Sequence, residues 1–231
     1  MKLLLKNCYY LDQEYRFRRG EISIEAGRIV ALGADLPLEG AESIDCRGML
    51  LIPGLVNAHT HNPAGPARGL FADSPLEEWC GETVQGRLQQ RAFDYLDNAQ
   101  KGDFRILLLK AYGEYLKQGI TFIVDSGQAD NAELNQREAL KEIGLCGCIE
   151  AYEEIERVAG LADEEVCFAA HLPEEEDITP QALEAVDGFR RIPGIQWMSH
   201  CLETEHRLGI IRDLAGCSTV QYFDGKGYLD A

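Results

Sequence analysis

The sequence predicts an α/β fold in which parallel strand–helix units follow a small N-terminal β-sheet. Up to about residue 52, apolar and polar residues alternate in short runs separated by glycine turns, as in Gly20–Glu25. From Gly54 onward, strand-like runs alternate with helix-like runs, which is typical of parallel βα units. With 231 residues, the chain is long enough for a large domain and a smaller module. We therefore expect domains at 1–53 and 54–231.

Five short strands are expected in the N-terminal part, where the period-two pattern favours an antiparallel sheet. Ala26 and Gly27 would form the turn between the second and third strands. The expected strands are Lys2–Tyr10, Gly20–Glu25, Arg28–Leu32, Ala41–Asp45 and Met49–Ile52.

Five parallel strands separated by helices are expected in the second part. The connection between the third and fourth strands, about 152–165, leaves little room for a full helix, and Pro173–Asp177 indicates a solvated loop. The strands are Val56–His61, Thr121–Asp125, Leu145–Ala151, Val166–His171 and Ile195–His200. Helices are expected at Pro75–Cys80, Phe93–Lys117, Ala132–Ile143 and Gln181–Arg191, and from Glu205 onward.

Composition and charge argue against several classes of partner. The 22 basic and 39 acidic residues give a net charge of -17, which disfavours nucleic acid and anionic membranes. No run approaches a transmembrane span, and the first apolar run is too short for a signal peptide. The 8 cysteines form no C-x-x-C pair, so reduced thiols and a cytoplasmic location are expected. Cys146 and Cys148 could bind a soft metal, but small buried strand residues are the commoner use.

Histidines end three of the five expected parallel strands. His59 and His61 are spaced i and i+2, so their imidazoles share one face of a strand. His171 ends the fourth strand and His200 the fifth. In α/β barrels the carboxyl ends of the strands build the active site, and neutral imidazole is a common ligand for zinc and iron. A bare His-X-His pair is more often incidental, but the later strand-end histidines favour a shared site.

A carboxylate follows the last of these histidines. Glu203 lies three residues after His200 in Ser199–Thr204. If His200 completes a metal site with His59 and His61, Glu203 would lie near the open position of the metal. There it could pass a proton between bound water and a leaving group. Considered alone, Glu203 is an ordinary acid at the start of a helix.

Together these motifs resemble the amidohydrolase superfamily, and within it the branch of cytosine-, guanine- and adenosine-type deaminases and chlorohydrolases. The resemblance is carried by Val-Asn-Ala-His-Thr-His (56–61) after Pro53-Gly54, and by His200-x-x-Glu203. Further segments that resemble this branch are Gly20–Gly33, Arg68-Gly69, Pro75–Trp79 and Ile120–Asp125.

The resemblance implies a TIM-type (β/α) barrel with a metal at its mouth and an added β-sandwich. Residues 1–53 would then be an incomplete sandwich and 54–231 an incomplete metal-dependent hydrolase barrel of about five units. It implies one divalent metal, because the fourth strand lacks the lysine of binuclear members; zinc is expected, with iron as the alternative. The implied ligands are His59, His61 and His200, the implied proton shuttle is Glu203, and the implied substrate contact is His171. Arg68 and Trp79 are further candidate substrate contacts, and Asp125 could also face the pocket.

The resemblance ends at the fifth strand of that barrel. The strand-six histidine and the strand-eight metal-binding aspartate of the family have no counterpart before Ala231, and a closed barrel needs about 250 residues. We therefore expect a hydrolase for C–N or C–Cl bonds of small nitrogen-rich rings that is inactive alone. The alternative is a non-catalytic remnant or interaction module. It would pair through open strand edges with a second copy or with a complementing C-terminal half. A truncated sequence is a third interpretation, and whether residues 1–231 are themselves an enzyme stays open.

Overall fold

The computed structural model of the chain describes residues 2–67, 69, 73–79, 81–98, 101–126, 132–152 and 155–229. It divides into two compact units, Met1–Gly54 and Leu55–Ala231. Among the described residues, no helix combines the length and the apolar character needed to cross a membrane.

The first unit is a five-stranded mixed sheet. Its β1 pairs with β2, and β2 with β3, in antiparallel fashion, but β4 and β5 pair with β1 in parallel. The expectation of a wholly antiparallel sheet is therefore wrong. Because two hairpins join β1, β2 and β3, strand β3 runs in the same direction as β1. The connection 34–41 then crosses to the other side of β1, so β4 also runs parallel to β1. The strands are β1 (Lys2–Leu11), β2 (Phe17–Glu25), β3 (Arg28–Gly33), β4 (Glu42–Asp45) and β5 (Leu50–Leu51).

The turn between β2 and β3 shows why the hairpin forms at the predicted place. Ala26 has a φ of 49° and Gly27 a φ of 80°, so both central residues are left-handed. That conformation matches the twist of the flanking strands. The core of this sheet consists of Cys8, Ile22 and Cys46.

The second unit contains a five-stranded parallel sheet in which sequence neighbours are also spatial neighbours. Parallel neighbours with a helix in each connection are the repeating unit of a (β/α) barrel. The predicted fold class, a partial barrel of about five βα units preceded by a separate small sheet, is confirmed. The strands are β6 (Leu55–Thr60), β7 (Ile120–Ser126), β8 (Cys146–Ala151), β9 (Val166–His171) and β10 (Gln196–Met198).

Helices connect the strands of this sheet. The helix predicted over Phe93–Lys117 is found as the end of α2 followed by α3, with residues 99–100 outside the described part. Gly119, with a φ of 81°, follows α3 as predicted. The five-residue α5 agrees with the short connection expected before β9. The helices are α1 (Leu76–Trp79), α2 (Val84–Asn98), α3 (Lys101–Lys117), α4 (Ala132–Ile143), α5 (Ile155–Ala159), α6 (Pro180–Phe189), α7 (Glu205–Ala215) and α8 (Thr219–Gly225).

The main core lies between the sheet and the helices that cover it. Leu108 of α3 and Leu140 of α4 pack with Ile149 of β8 and Phe168 of β9. Because side chains alternate along a strand, the residues next to Ile149 and Phe168 point to the opposite face of the sheet. That opposite face holds the polar groups described below.

The segment Pro173–Asp177 differs from its prediction as a solvated loop. Residues Glu175–Asp177 form a 3-10 turn, and Glu175 is only 2% exposed. Its Oε1 atom accepts a hydrogen bond of 2.8 Å from the backbone N–H of Leu202 and another from the hydroxyl of Thr219. The run of acidic residues suggested solvent, but this carboxylate ties the segment after β9 to the segment after β10.

Candidate metal centre

Three histidines converge at the carboxyl ends of β6 and β10. His59 lies on β6, and His61 follows its last residue, so the alternation of the strand directs both rings to one side. His200 follows β10 at the other edge of the sheet. The Nε2 atoms lie 2.9 Å apart for His59 and His61, 3.3 Å for His59 and His200, and 3.0 Å for His61 and His200. The three form a group that could hold a metal ion.

The donor chemistry of this cluster favours a cation. Each Nε2 atom lies within hydrogen-bonding distance of the other two, and a neutral ring nitrogen either donates or accepts. Among three mutually close nitrogens, at least two must then have the same role. The rings therefore cannot satisfy one another by hydrogen bonding, whereas a central cation accepts a lone pair from each. Tetrahedral zinc with nitrogens at about 2.0–2.1 Å places its ligands about 3.3 Å apart, close to the spacing found here.

The pKa values of His61 and His200 are shifted in opposite directions. Burial, followed by repulsion from His200 and His59, lowers the pKa of His61 to about 4, so its ring is neutral at pH 7. The hydrogen bond to Glu174 raises the pKa of His200 above its ordinary value. His200 Nδ1 lies 3.4 Å from Glu174 Oε1. A proton held there leaves the lone pair of Nε2 for the cluster, which is the usual arrangement behind a metal-bound histidine.

Behind the His-X-His pair lies Asp125, whose side chain is 0% exposed. Its Oδ1 accepts hydrogen bonds from Thr60 Oγ1 at 2.8 Å, Asn62 N at 2.9 Å and Asn62 Nδ2 at 3.0 Å, and its Oδ2 accepts one from Tyr112 Oη at 2.7 Å. Because Thr60 and Asn62 flank His61, this carboxylate fixes the backbone on both sides of that ring. The expectation that Asp125 faces the pocket is wrong, because the alternation of β7 turns it toward α3.

Glu203 lies two residues before α7, beside a buried arginine. Its Oε2 forms an ion pair with Nη1 of Arg207, which is 8% exposed. Arg207 Nη2 also binds Glu176 Oε1 at 2.8 Å and Glu174 Oε2 at 3.1 Å. The charge of Glu203 contributes to the raised pKa of His200, so the two groups interact. Within the described residues, no carboxylate oxygen belongs to the three-histidine group.

A cavity of about 210 Å³ lies against the cluster, and its lining includes His59, His200, Ser126 and Glu150. Glu150 Oε1 is 2.8 Å from His171 Nδ1, and its Oε2 accepts a hydrogen bond from Ser126. Although burial acts to raise it, these hydrogen bonds hold the pKa of Glu150 below its ordinary value. An ionised carboxylate only accepts hydrogen bonds, so the proton of His171 is on Nδ1.

The ring of His171 is fixed on a second side by Tyr152. The two ring centroids are 4.2 Å apart, and Tyr152 Oη lies 3.2 Å from Glu150 Oε2. Glu150 lines the cavity, and His171 contacts Glu150 without being one of the described lining residues. A ligand in this cavity would lie beside Glu150 and Ser126.

The structure thus brings together His59, His61 and His200, as the sequence predicts. Arg68 and the side chain of Trp79 lie outside the described part of the chain. Sequence reasoning missed Glu174 and Glu150. The period-two spacing of Cys146, Cys148 and Glu150 on one strand was the available signal for Glu150, whereas the acidic run around Glu174 gave no local signal.

A profile of the amidohydrolase family matches residues 50–228. A 5-methylthioadenosine/S-adenosylhomocysteine deaminase of Thermococcus kodakarensis is 25% identical over an alignment of 252 positions. The alignment covers 99% of this chain and 56% of the relative. A deaminase of the same name from Desulforudis audaxviator is 40% identical over 88 residues, which cover 36% of this chain and 20% of that protein. The chain therefore spans little more than half the length of the Thermococcus kodakarensis relative.

Solved structures show the same fold. An atrazine chlorohydrolase from Arthrobacter aurescens TC1, complexed with zinc, superposes with a TM-score of 0.78 at 21% identity, covering 98% of this chain and 58% of the other. An adenosine deaminase from Xanthomonas campestris with bound zinc gives 0.77 at 21% identity, covering 97% and 55%. Since the family profile matches well over half of its length, this chain belongs to the amidohydrolase family.

Proposed function

We propose that the chain carries the metal-binding half of a hydrolase that acts on C–N or C–Cl bonds of small nitrogen-rich rings. The observation that carries the proposal is the convergence of the Nε2 atoms of His59, His61 and His200 within 2.9–3.3 Å. The three nitrogens cannot satisfy one another by hydrogen bonding, but all three can bind one cation. This arrangement suits a metal site with three protein ligands and an open position.

The proposed ion is a single divalent metal, zinc, with iron as the alternative. When bound, it supplies Lewis acidity and makes a water molecule more acidic. Zinc is supported by the donor set and by the two zinc-containing structures of similar fold. Glu174 holds the proton on Nδ1 of His200 and so keeps Nε2 of that ring available.

Glu203 is the proposed proton carrier between water and leaving group. Its Oε2 is held by Arg207, which leaves Oε1 to take and return a proton. Arg207 then has a positioning role, because it fixes the direction of the Glu203 carboxylate just before α7. Its own proton stays in place, since guanidinium is not deprotonated in proteins.

The proposed substrate is a small heterocycle, because the relatives are named as deaminases of adenosine derivatives and the structural neighbours include an atrazine chlorohydrolase. His171, Arg68 and Trp79 are the proposed substrate contacts. Glu150 and Ser126 are further proposed contacts, because both line the cavity beside His59 and His200 and Glu150 binds His171. Nucleic acid is disfavoured by the net charge of -17.

We further propose that residues 1–231 alone bind the metal but do not turn over. The support is that no carboxylate of the described residues joins the three histidines, so a metal held there would have no fourth ligand from this part of the chain. A C-terminal half supplied as a second polypeptide is the proposed route to activity.

The test combines metal analysis with product release on the purified chain. We expect one zinc per chain by elemental analysis, retained in His206→Ala and lost in His59→Ala and His200→Ala. His206 is exposed on α7 outside the cluster and is therefore the matched control. Release of ammonia or chloride should stay at background. Zinc content that is unchanged in the two cluster variants would overturn the metal site, and family-level turnover by the chain alone would overturn the proposed inactivity.

A second candidate function is an interaction module. In the described sheet, β6 and β10 are edge strands with one neighbour each, and Leu55 and Val56 at the start of β6 are 53% and 63% exposed. Such edges can pair with a second copy or with another chain. A stable complex, measured by light scattering, whose mass and stability do not change when a chelator is added would favour this function. A complex that dissociates with metal loss would favour the hydrolase.

A further inference from the structure

Two free cysteines face each other across neighbouring strands of the barrel sheet. Cys148 of β8 and Cys167 of β9 are direct partners in the parallel register. Adjacent strands lie about 4.8 Å apart. Disulfides join residues whose Cα atoms are about 4.4–6.8 Å apart. The backbone therefore already holds these two residues at a distance that a disulfide can span.

Both side chains point to the same face of the sheet. Glu150 hydrogen-bonds His171 across β8 and β9, so these two residues share the face opposite to the helices. Cys148 lies two residues before Glu150, and Cys167 lies four residues before His171. Because side chains repeat every second residue along a strand, the two cysteines share that face with them.

The two thiols differ in access and in acidity. Cys148 is 6% exposed, whereas Cys167 is partly exposed. Their mutual hydrogen bond lowers the pKa of Cys167 to about 7 and raises that of Cys148. The thiolate is the reactive form of a cysteine, so the lowered pKa makes Cys167 the more reactive thiol of the two. The pair therefore consists of an accessible nucleophile beside a protected thiol.

We propose that Cys148 and Cys167 form a dithiol site that a small-molecule disulfide oxidises to an intramolecular disulfide. The Cys167 thiolate attacks one sulfur of the oxidant, which forms a mixed disulfide and releases one small thiol. Cys148 then loses its proton and attacks the Cys167 sulfur, which forms the protein disulfide and releases the second small thiol. The two protein thiols lose two electrons and two protons, and the oxidant is reduced to two thiols.

Two other cysteine sites in the chain provide internal comparisons. Cys146 lies on β8 with its side chain on the same face, but the register places Gly147 opposite Val166, so Cys146 has no cysteine across from it. Cys8 and Cys46 pack together in the first unit, but both are buried, and burial raises the pKa of Cys8. Neither site joins an accessible thiolate to a partner in register.

The experiment treats the full chain with oxidised glutathione, alkylates the remaining thiols and maps the peptides by mass spectrometry. In the wild type we expect a linked peptide pair containing Cys148 and Cys167, with two fewer alkylated thiols per chain, reversed by dithiothreitol. Cys146→Ser should behave as the wild type. Cys148→Ser should stop at a stable glutathione adduct on Cys167, because the second thiol is missing.

The remaining outcomes separate this site from general thiol oxidation. Cys167→Ser should give neither the linked pair nor an adduct at Cys148, whose thiol is protected by burial. Circular dichroism of each serine variant confirms that it is folded before oxidation. Absence of the linked peptide in the wild type overturns the proposal. So does a linkage between Cys146 and Cys167 at an equal rate, because specificity for the registered pair would then be missing.

Discussion

Replacing Asp125 by alanine is expected to destabilise the second unit by about 2–4 kcal/mol. The carboxylate accepts four hydrogen bonds from Thr60, Asn62 and Tyr112 and is 0% exposed. Alanine removes the acceptor of the Asn62 N–H and of the Tyr112 hydroxyl, and each orphaned buried donor costs about 1–3 kcal/mol. Thr60 keeps a second acceptor, the carbonyl of Val124 at 3.0 Å. The relief of a buried charge offsets part of the loss.

Asp125→Asn should cost about 1 kcal/mol or less. The amide oxygen can keep the three bonds now made by Oδ1, and the Tyr112 hydroxyl can accept from the new NH₂ group. Burial is the main cause of the raised pKa of Asp125. A folded-state pKa above the unfolded one means that the folded protein binds more protons, so wild-type stability falls as pH rises through the folded pKa. The difference between Asn and wild type should therefore shift in favour of Asn with rising pH.

The assay is urea unfolding followed by tryptophan fluorescence. Trp79 and Trp197 both lie in residues 55–231, so the signal reports the unit that contains Asp125. Asp213→Ala, at an exposed position of α7, is the control and should change stability by less than about 0.5 kcal/mol. If alanine at 125 matched this control, or asparagine were as harmful as alanine, the reasoning from buried donors would be wrong.

Three further predictions follow from the site. Zinc affinity, measured calorimetrically at pH 8, 7 and 6, should weaken as pH falls, because protons compete with the metal for His200, whose pKa is raised. His61, with a pKa of about 4, stays neutral over this range. A zinc affinity that does not change with pH would contradict this. In ¹⁵N NMR spectra, neutral His171 should carry its proton on Nδ1, and Glu150→Ala should release the ring to both tautomers; an unchanged spectrum would refute the assigned acceptor. Arg207→Met should cost about 2 kcal/mol at pH 7 because it leaves clustered glutamates unpaired. That loss should shrink as pH falls through the folded-state pKa of Glu174, which Arg207 helps to hold below its ordinary value. A pH-independent loss in the same unfolding assay would argue for lost packing instead.

Much of the second unit could be predicted from local patterns. The bounds of α4 (Ala132–Ile143) and β9 (Val166–His171) agree with the prediction, because both have a clear apolar period and well-marked ends. The helix predicted over Phe93–Lys117 is helical throughout its described part, although residues 99–100 lie outside that part. The parallel pairing of β4 with β1 was beyond local patterns, since strand direction depends on the path of a connection.

Some features of the candidate site could be predicted from the sequence, and others could not. The convergence of His59, His61 and His200 could be predicted, because the carboxyl ends of parallel strands meet at one edge of a barrel. The direction of Asp125 could not, since it depends on which face of β7 the helix α3 covers. Glu174 was hidden in an acidic run that charge patterning assigns to solvent, and only its contacts with His200 and Arg207 show otherwise.

The sequence by itself determined the order of the βα units, the separate first sheet and the strand-end histidines, because these depend on residue type and spacing within short segments. Only the tertiary structure decided which groups meet across the sheet: Glu174 with His200, Glu150 with His171, and Cys148 with Cys167. Those pairings follow from strand register and packing between segments far apart in the chain. A local sequence pattern predicts neither strand register nor packing between distant segments. The protonation of the histidines and the reactivity of the thiols can therefore be inferred only from the folded chain.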